Sequence, residues 1–571
     1  MSKQISGVVS AAGSPPAEHS NVKDTVISVL ISLVLAFVFR GFVVEAFQIP
    51  TGSMGPTLLG AHMRFRSPVT GTEWPVQPWE YLDASYDNPR PEQKFGPQGV
   101  PIVVHDPMSN YELTPSSMKT ISGDRIFVLK YLYSIFDPSR FDVVVFKNPQ
   151  KPQENFIKRL IGLPNEQIAL VDGDVFVRPA SAANDESLDS WSQPGWTIAR
   201  KPELVQRAVW QPVFDSTYTP RSDTVQNTRW FFPPWKASTG GWQIENRPDY
   251  VYTESAPTRL DWDLDRWPLI DRYSYNEAWL RMPHGPSQVL LGGWWRPTYE
   301  FIGPIFYYPV SDLRVAAGIE PGSENLEAAI NLVARGHQFQ ARLGKNAVTI
   351  NMRPQPASEG ADEPWKQLAT TPVEGLFEKD RITNVEFWHA DQSCQVWIDG
   401  ELVLEASYDW SPAQRIQNTL GLTMQQIADS ATASNKSGVL IDGTKYRLPG
   451  LSMAFDGSPV TLHRVGVWRD LHYQATNKAL LQGPSGLAVT PQTVLTTGPD
   501  HFFCCGDNSP ASHDGRAWNS VETWVAHEID PTIGVVHRDL LIGKAFFVYF
   551  PGIQHSGRSL MFDVGRMRLI W

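Results

Sequence analysis

The pattern of hydrophobic and polar positions changes character several times along the chain. Residues 1–22 are rich in Ser, Gly, Ala and Pro and read as a mobile tail. From Thr25 to Phe39 the run TVISVLISLVLAFVF carries no charge. Continued past Arg40 through Gly41-Phe42-Val43-Val44, it reaches about the twenty residues that cross a bilayer. No small-x-small site follows it, which favours an uncleaved anchor over a removed signal peptide. The predicted element is therefore a transmembrane helix over 23–46, with a buried helix in a soluble core as the alternative. Lys3 and Lys23 against Glu18 and Asp24 orient such a span only weakly.

Residues 60–120 have many Pro and Gly and little periodicity, and are expected to be a loop insertion. Within them, Ser67-Pro68-Val69-Thr70-Gly71 and Asp106-Pro107-Met108-Ser109 have the spacing of a C-P-x-C zinc knuckle with polar residues in place of cysteines. They are either two unrelated proline turns or a ribbon without its metal. From Gly123 the period becomes that of strands. Asp124–Lys130, Phe141–Phe146 and Asn155–Ile161 are β-rich runs, and Asp172-Gly173 marks a hairpin between Ile168–Val171 and Val175–Val177. This predicts an antiparallel β domain over 47–178.

The next three hundred or so residues break this pattern. They hold 16 of the 21 tryptophans. Residues 179–305 are Trp/Pro-rich and irregular, whereas 306–484 alternate as strands do. Phe339, Ala341 and Leu343 form one such row, and Asp399-Gly400 turns Val396-Trp397-Ile398 into Leu402-Val403-Leu404. A jelly-roll, lectin-like β-sandwich is expected there, with most tryptophans in its core and any exposed ones free to stack on sugars. After Gln482-Gly483-Pro484-Ser485-Gly486 the first β pattern resumes over 485–571. The insertion thus interrupts one domain, and the fold class is mainly β.

Composition narrows the function classes. The chain has 571 residues, 42% hydrophobic and 19% charged, which excludes a disordered chain and a multi-span membrane protein. A net charge of -11 without a basic stripe argues against nucleic acid. The cysteines are Cys394, Cys504 and Cys505, with no CxxC pair, so no zinc site is expected, and the vicinal pair reads as buried side chains.

The chemistry centres on the stretch just after the apolar run, Phe47 to Leu59. Ser53 lies between Gly52 and Met54-Gly55-Pro56, where small residues and a proline can hold a hydroxyl exposed and oriented. Locally this is also what an ordinary Ser/Gly/Pro turn looks like. A nucleophilic serine needs a base, and no GxSxG elbow or histidine triad setting is present. Lys158 is the better candidate, because Phe156-Ile157-Lys158 places a cation in an apolar strand, and burial lowers a lysine's pKa toward the range of a base. A lysine on a solvated strand face is the competing local reading.

Phe47–Leu58, Ser139–Phe146, Phe156–Pro164 and Gly506–Arg516, with Gly543-Lys544-Ala545, occur in the order and spacing of the bacterial type I signal peptidases, which the chain resembles. The resemblance implies a membrane-anchored serine endopeptidase with a Ser/Lys dyad. Such an enzyme removes signal peptides after an Ala-x-Ala type site, on the outer side of the cytoplasmic membrane, without metal or cofactor. It implies Ser53 as nucleophile and Lys158 as general base. The Thr51 hydroxyl and the Ser53 N–H would form the oxyanion hole, Ser512 would orient the lysine, and Asp514 and Arg516 would support the site. Phe47, Ile49, Pro50 and Ile157 would line the pockets for small side chains. The chain departs from the family pattern at Phe141, where a glycine is usual, and at Ser509, Pro510, Ala511 and Gly515.

The implied partners are signal peptides of exported preproteins and the lipid bilayer, with a glycan or protein ligand for the sandwich. Two other functions compete. One is a self-cleaving Ser/Lys protein, against which the anchor and the lack of a DNA-binding segment count. The other is a membrane-tethered glycan- or protein-binding protein with a vestigial peptidase core, against which the joint presence of Thr51, Ser53, Lys158 and Ser512 counts.

Overall fold

The computed structural model describes residues 22–38, 43–77, 92–94, 102–115, 117–182, 190–220, 233–245, 247–276, 279–280, 307–356, 363–431, 437–475, 486–552, 554–556, 559–561 and 563–571. The expected mobile tail, residues 1–22, lies outside them except for its last residue. Among the described residues the chain is mainly β, as its alternating patterns predict.

The strands Val44–Gln48, Arg125–Leu129, Leu541–Phe550, Val143–Asn148, Lys151–Gly162, His501–Cys505 and Val536–His537 lie side by side in that order, every neighbouring pair antiparallel. A smaller sheet runs Thr197–Ile198, Asp174–Pro179, Glu166–Val171, Leu495–Thr496. Both sheets combine strands that precede residue 200 with strands that follow residue 490. In Arg125–Leu129 the buried positions, Ile126 and Val128, alternate with half-buried ones. Lys151–Gly162 begins exposed and is buried from Ile157 onward, which carries Lys158 into the interior.

The predicted anchor differs from the structure in its second half. A helix covers Val22–Val38, and Val44–Gln48 is a strand paired with Arg125–Leu129. The backbone of 44–48 finds its partners in the larger of these sheets, so the helix does not run on to 46. Among the described residues no helix is long and apolar enough to cross a membrane.

Residues 60–120 are more ordered than their composition suggests. Met63–Arg66 pairs with Glu73–Val76, and Ile102–His105 with Glu112–Leu113. The two proline turns that end the first strand of each pair meet. Thr70 Oγ1 donates to Asp106 Oδ2 at 2.6 Å, Ser109 Oγ donates to the same oxygen at 2.7 Å, and the Val69 and Thr70 amides donate to Ser67 Oγ. Gly71 (φ +77°) and Asn110 (φ +56°) close the two turns in the same left-handed conformation. Four polar side chains thus occupy the centre of a ribbon.

The insertion folds as two antiparallel sheets around one apolar core. One sheet contains Val460–Arg469, Leu313–Pro321, Thr383–Ala390, Ser393–Ile398 and Glu401–Ser407; the other contains Gly450–Asp456, Glu327–Ala334, His337–Leu343, Ala347–Pro354 and Lys366–Pro372. Short strands from the Trp/Pro-rich stretch, including Gln211–Asp215, Tyr250–Tyr252 and Thr258–Trp262, join the same two sheets. Trp235, Trp262 and Trp267 are buried between them. Trp388 and Trp397 are buried too, with the Arg207 guanidinium over both rings.

The sandwich is tied to the smaller sheet's hairpin by buried charge. The predicted Asp172-Gly173 hairpin turn (φ +49° and +88°) reaches into it. There Arg335 pairs with Asp172 and Asp312, and Arg415 with Asp172, Asp174 and Asp312.

Candidate active site

Ser53 sits in a turn held from two sides. The Asn508 N–H donates to the Ser53 carbonyl at 3.0 Å, and Asn508 Nδ2 donates to the Gly52 carbonyl at 2.9 Å. Ser53 is 9% exposed and Lys158 3%. Lys158 Nζ donates to Ser53 Oγ at 2.7 Å and to the Ile157 carbonyl at 3.1 Å, and lies 4.8 Å from the centre of the Phe156 ring. Burial lowers the Lys158 pKa from 10.5 to about 8, against the partly offsetting charge of Asp514. A substantial fraction of Lys158 is then neutral near pH 8, and over the same 2.7 Å the neutral amine can accept the Ser53 proton.

The loop 506–516 backs this pair. A Cβ added to Gly506 would meet Ser512 Oγ at 2.3 Å and the Ser53 carbonyl at 2.4 Å, so Gly506 is the spacer that brings Ser512 against the Ser53 turn. The Ser512 hydroxyl also bonds the Asp514 carboxylate. Arg516 Nε and Nη2 donate to the two oxygens of Asp514 at 2.9 Å each, both side chains fully buried. Burial alone would raise the Asp514 pKa, but Arg516 holds it below the usual carboxylate value.

Three of the four apolar positions group together. Ile49 and Ile157 are buried in one cluster with Met54 and Val145, and half-buried Phe47 packs on it, whereas Pro50 is exposed. Thr51 is half-buried, its backbone packed on Gly60.

The departures from the family pattern have local explanations. Phe141 adopts φ +72°, a conformation that favours glycine, and its ring is buried with Ile161 and Phe503. Ser509 Oγ accepts from Arg516 Nη1 and from the Gln474 amide, both at 2.8 Å. At Gly515 a Cβ would come within 2.6 Å of the Phe503 ring, leaving no room for a side chain. Cys504 and Cys505 are free and buried, and burial raises both thiols.

Several residues around the site escaped sequence reasoning. Arg159 and Asp507 form a fully buried bidentate pair at 2.8 and 2.7 Å. Asn508, Tyr273, Tyr275 and Asn276 also converge here. The Gly-Asp-Asn run pointed to the first of these, but no local pattern marked the other three. One acidic cluster among the described residues has metal-like spacing, Asp174, Asp391 and Asp470. The Lys201 ammonium occupies that position, 2.5 Å from Asp391 and 3.0 Å from Asp470.

Comparison with known proteins agrees with the class that this site suggests. Residues 102–232 match the family model described as signal peptidase, peptidase S26. Signal peptidase I of Rickettsia bellii is 26% identical over 162 residues, 28% of this chain and 39% of its own. Signal peptidase I of Rickettsia akari is 24% identical over 206 residues, 35% of this chain and 60% of its own. These matches show similarity to signal peptidases of the S26 family over part of the chain. The chain spans only 39% to 60% of the length of these two relatives. Among solved structures, a carbohydrate-binding module from Bacillus subtilis aligns over 42% of this chain and 96% of its own, at 8% identity and a TM-score of 0.22.

Proposed function

We propose that the protein is a membrane-tethered endopeptidase that cleaves signal peptides from exported preproteins by a Ser53/Lys158 dyad. The observation that carries this reading is the 2.7 Å contact between Ser53 Oγ and a lysine whose pKa burial brings to about 8. Neutral Lys158 takes the Ser53 proton as Oγ attacks the scissile carbonyl. The resulting oxyanion is stabilised by the Ser53 N–H and the Thr51 hydroxyl, each donor contributing about 3 kcal/mol in comparable sites. The lysine ammonium then protonates the leaving amine. In the second half Lys158 deprotonates a water that hydrolyses the acyl-enzyme, and Ser53 is restored. Phe47, Ile49 and Ile157 form the wall that selects small side chains before the cleaved bond, with Pro50 at its rim.

Two observations support the tether. The helix Val22–Val38 leaves Leu30, Ile31, Val34, Leu35 and Phe37 at least 55% exposed, a broad apolar face. Ile135 and Phe136, 66% and 61% exposed, lie close in sequence to Lys130, whose amide bonds the Val43 carbonyl where the chain enters the sheet. A bilayer would cover both, with the catalytic domain on its outer side.

The test incubates membranes carrying wild type, Ser53→Ala or Lys158→Ala with a preprotein bearing an Ala-x-Ala site. Wild type is expected to release the mature protein and both variants to leave it uncut. Cleavage by either variant at the wild-type rate would refute the dyad.

A further inference from the structure

The insertion does more than interrupt the catalytic domain. Two of its segments return to the loops that hold Ser53. In the segment 271–276, the Tyr273 hydroxyl donates to the Asp507 carbonyl at 3.1 Å. The Tyr275 ring lies against glycine backbone, and a Cβ on Gly52 would meet it at 2.5 Å and one on Gly55 at 2.7 Å. Every polar atom group of the Asn276 amide is engaged: Nδ2 donates to Asn508 Oδ1 at 2.7 Å, while Oδ1 accepts from Asn508 Nδ2 at 2.8 Å and from Gln77 Nε2 at 2.9 Å. In the segment 469–474, Arg469 stacks over Tyr273 and donates to the Arg272 carbonyl, and the Gln474 carbonyl accepts from Arg516.

We propose that Asn276 is a positioning residue for the nucleophile, acting through Asn508, so that the inserted region completes the active site of the peptidase. The proposal rests on the Ser53/Lys158 reading above. The reciprocal amide pair with Asn276 uses Asn508 Oδ1 and one of its two Nδ2 hydrogens. The other hydrogen is thereby aimed at the Gly52 carbonyl, while the Asn508 backbone N–H holds the Ser53 carbonyl. Rotation of the Asn508 side chain would break both its bonds at once, and Asn276 is what opposes that rotation. Tyr275 closes the other side of the turn, where only glycine leaves room for its ring. Hydrogen-bonded placement of this kind sets how far Ser53 Oγ can stray from Lys158 Nζ, and a misplacement of about 1 Å can cost about 100-fold in rate.

The distinguishing signature is a coupled effect on kcat. In the full-length protein in detergent, Asn276→Ala should lower kcat about tenfold or more with KM changed less than about threefold. Asn508→Ala should do the same, and the double variant should be no slower than Asn508→Ala alone. Tyr273→Phe removes one hydroxyl without removing a ring and should give a smaller fall in kcat. The same cycle is read from the rate at which a serine-directed acylating probe labels Ser53, which needs no peptide substrate. Unchanged kcat and labelling in Asn276→Ala, or losses that multiply in the double variant, would overturn the proposal. So would a fall in melting temperature that accounts for the loss of activity. If wild type labels at Ser53 but leaves the preprotein intact, the signal-peptide reading fails while the labelling cycle still decides the role of Asn276.

Discussion

Lys158 makes two demands on the fold that can be measured separately. Holding its pKa at about 8 rather than 10.5 penalises the charged form by about 3 kcal/mol. Below pH 8 that penalty is fully present, because the side chain is charged in both folded and unfolded chains. Between pH 8 and 10.5 only the unfolded chain holds the proton, so stability rises with pH, and above 10.5 the penalty is gone. Lys158→Met should therefore be inactive yet more stable at pH 7, by up to about 3 kcal/mol, with the gain shrinking from pH 8 upward. Denaturant unfolding at several pH values checks this, and a gain independent of pH would contradict it. Phe141 poses the opposite balance. Glycine there would relieve a left-handed backbone worth about 1 kcal/mol but empty a buried aromatic site worth about 3 kcal/mol or more. Phe141→Gly should thus destabilise by about 2 kcal/mol in the same measurement, whereas a stabilised variant would show that the backbone term dominates.

Which residues the sequence could reveal follows from how local their signals are. Ser53, Lys158, Ser512, Asp514 and Arg516 stand in short ordered blocks, and the structure brings those blocks together around Gly506. Asn276 and Tyr275 come from an irregular stretch with neither a helical nor a strand period, and only the tertiary fold sets them beside Asn508 and Gly52.

At the scale of elements, short strands were the hardest to foresee. Between 60 and 120 they are two to four residues long, below the length at which alternation is visible, and the loop expected there contains a paired ribbon. Conversely, Val44–Gln48 continues an apolar run, and only its pairing with Arg125–Leu129 separates it from the helix before it. The ribbon centre offers a direct test of its geometry. If Ser67, Thr70, Asp106 and Ser109 stand where knuckle ligands stand, Ser67→Cys, Thr70→Cys, Asp106→Cys and Ser109→Cys combined in one chain should bind one zinc ion tetrahedrally. Cobalt substitution would report this as a thiolate charge-transfer spectrum. A folded variant that binds no metal would show that the two turns resemble knuckles only in spacing.

For the whole molecule, the insertion is joined to the catalytic domain both at the active-site loops and through the buried charges around Asp172 and Asp174. Arg335→Met should leave Asp172 and Asp312 short of a partner in the interior and cost about 3–5 kcal/mol. A change below about 1 kcal/mol in unfolding would mean that Arg415 alone satisfies both carboxylates. The resumption of the β pattern after 485 was readable in the sequence, and strands there pair with Arg125–Leu129, Val143–Asn148, Lys151–Gly162 and Glu166–Val171. The contacts of Tyr273 and Asn276 with Asp507 and Asn508 were not readable there, because they join positions more than two hundred residues apart.

The central claim is that a buried, neutral Lys158 activates Ser53, and the pH dependence of kcat/KM tests it most directly. Wild type acting on an Ala-x-Ala preprotein should gain activity through an ionisation near pH 8 and reach a plateau above it. A profile that stays flat from pH 6 to 10, or one that rises only near the 10.5 of an ordinary lysine, would contradict it.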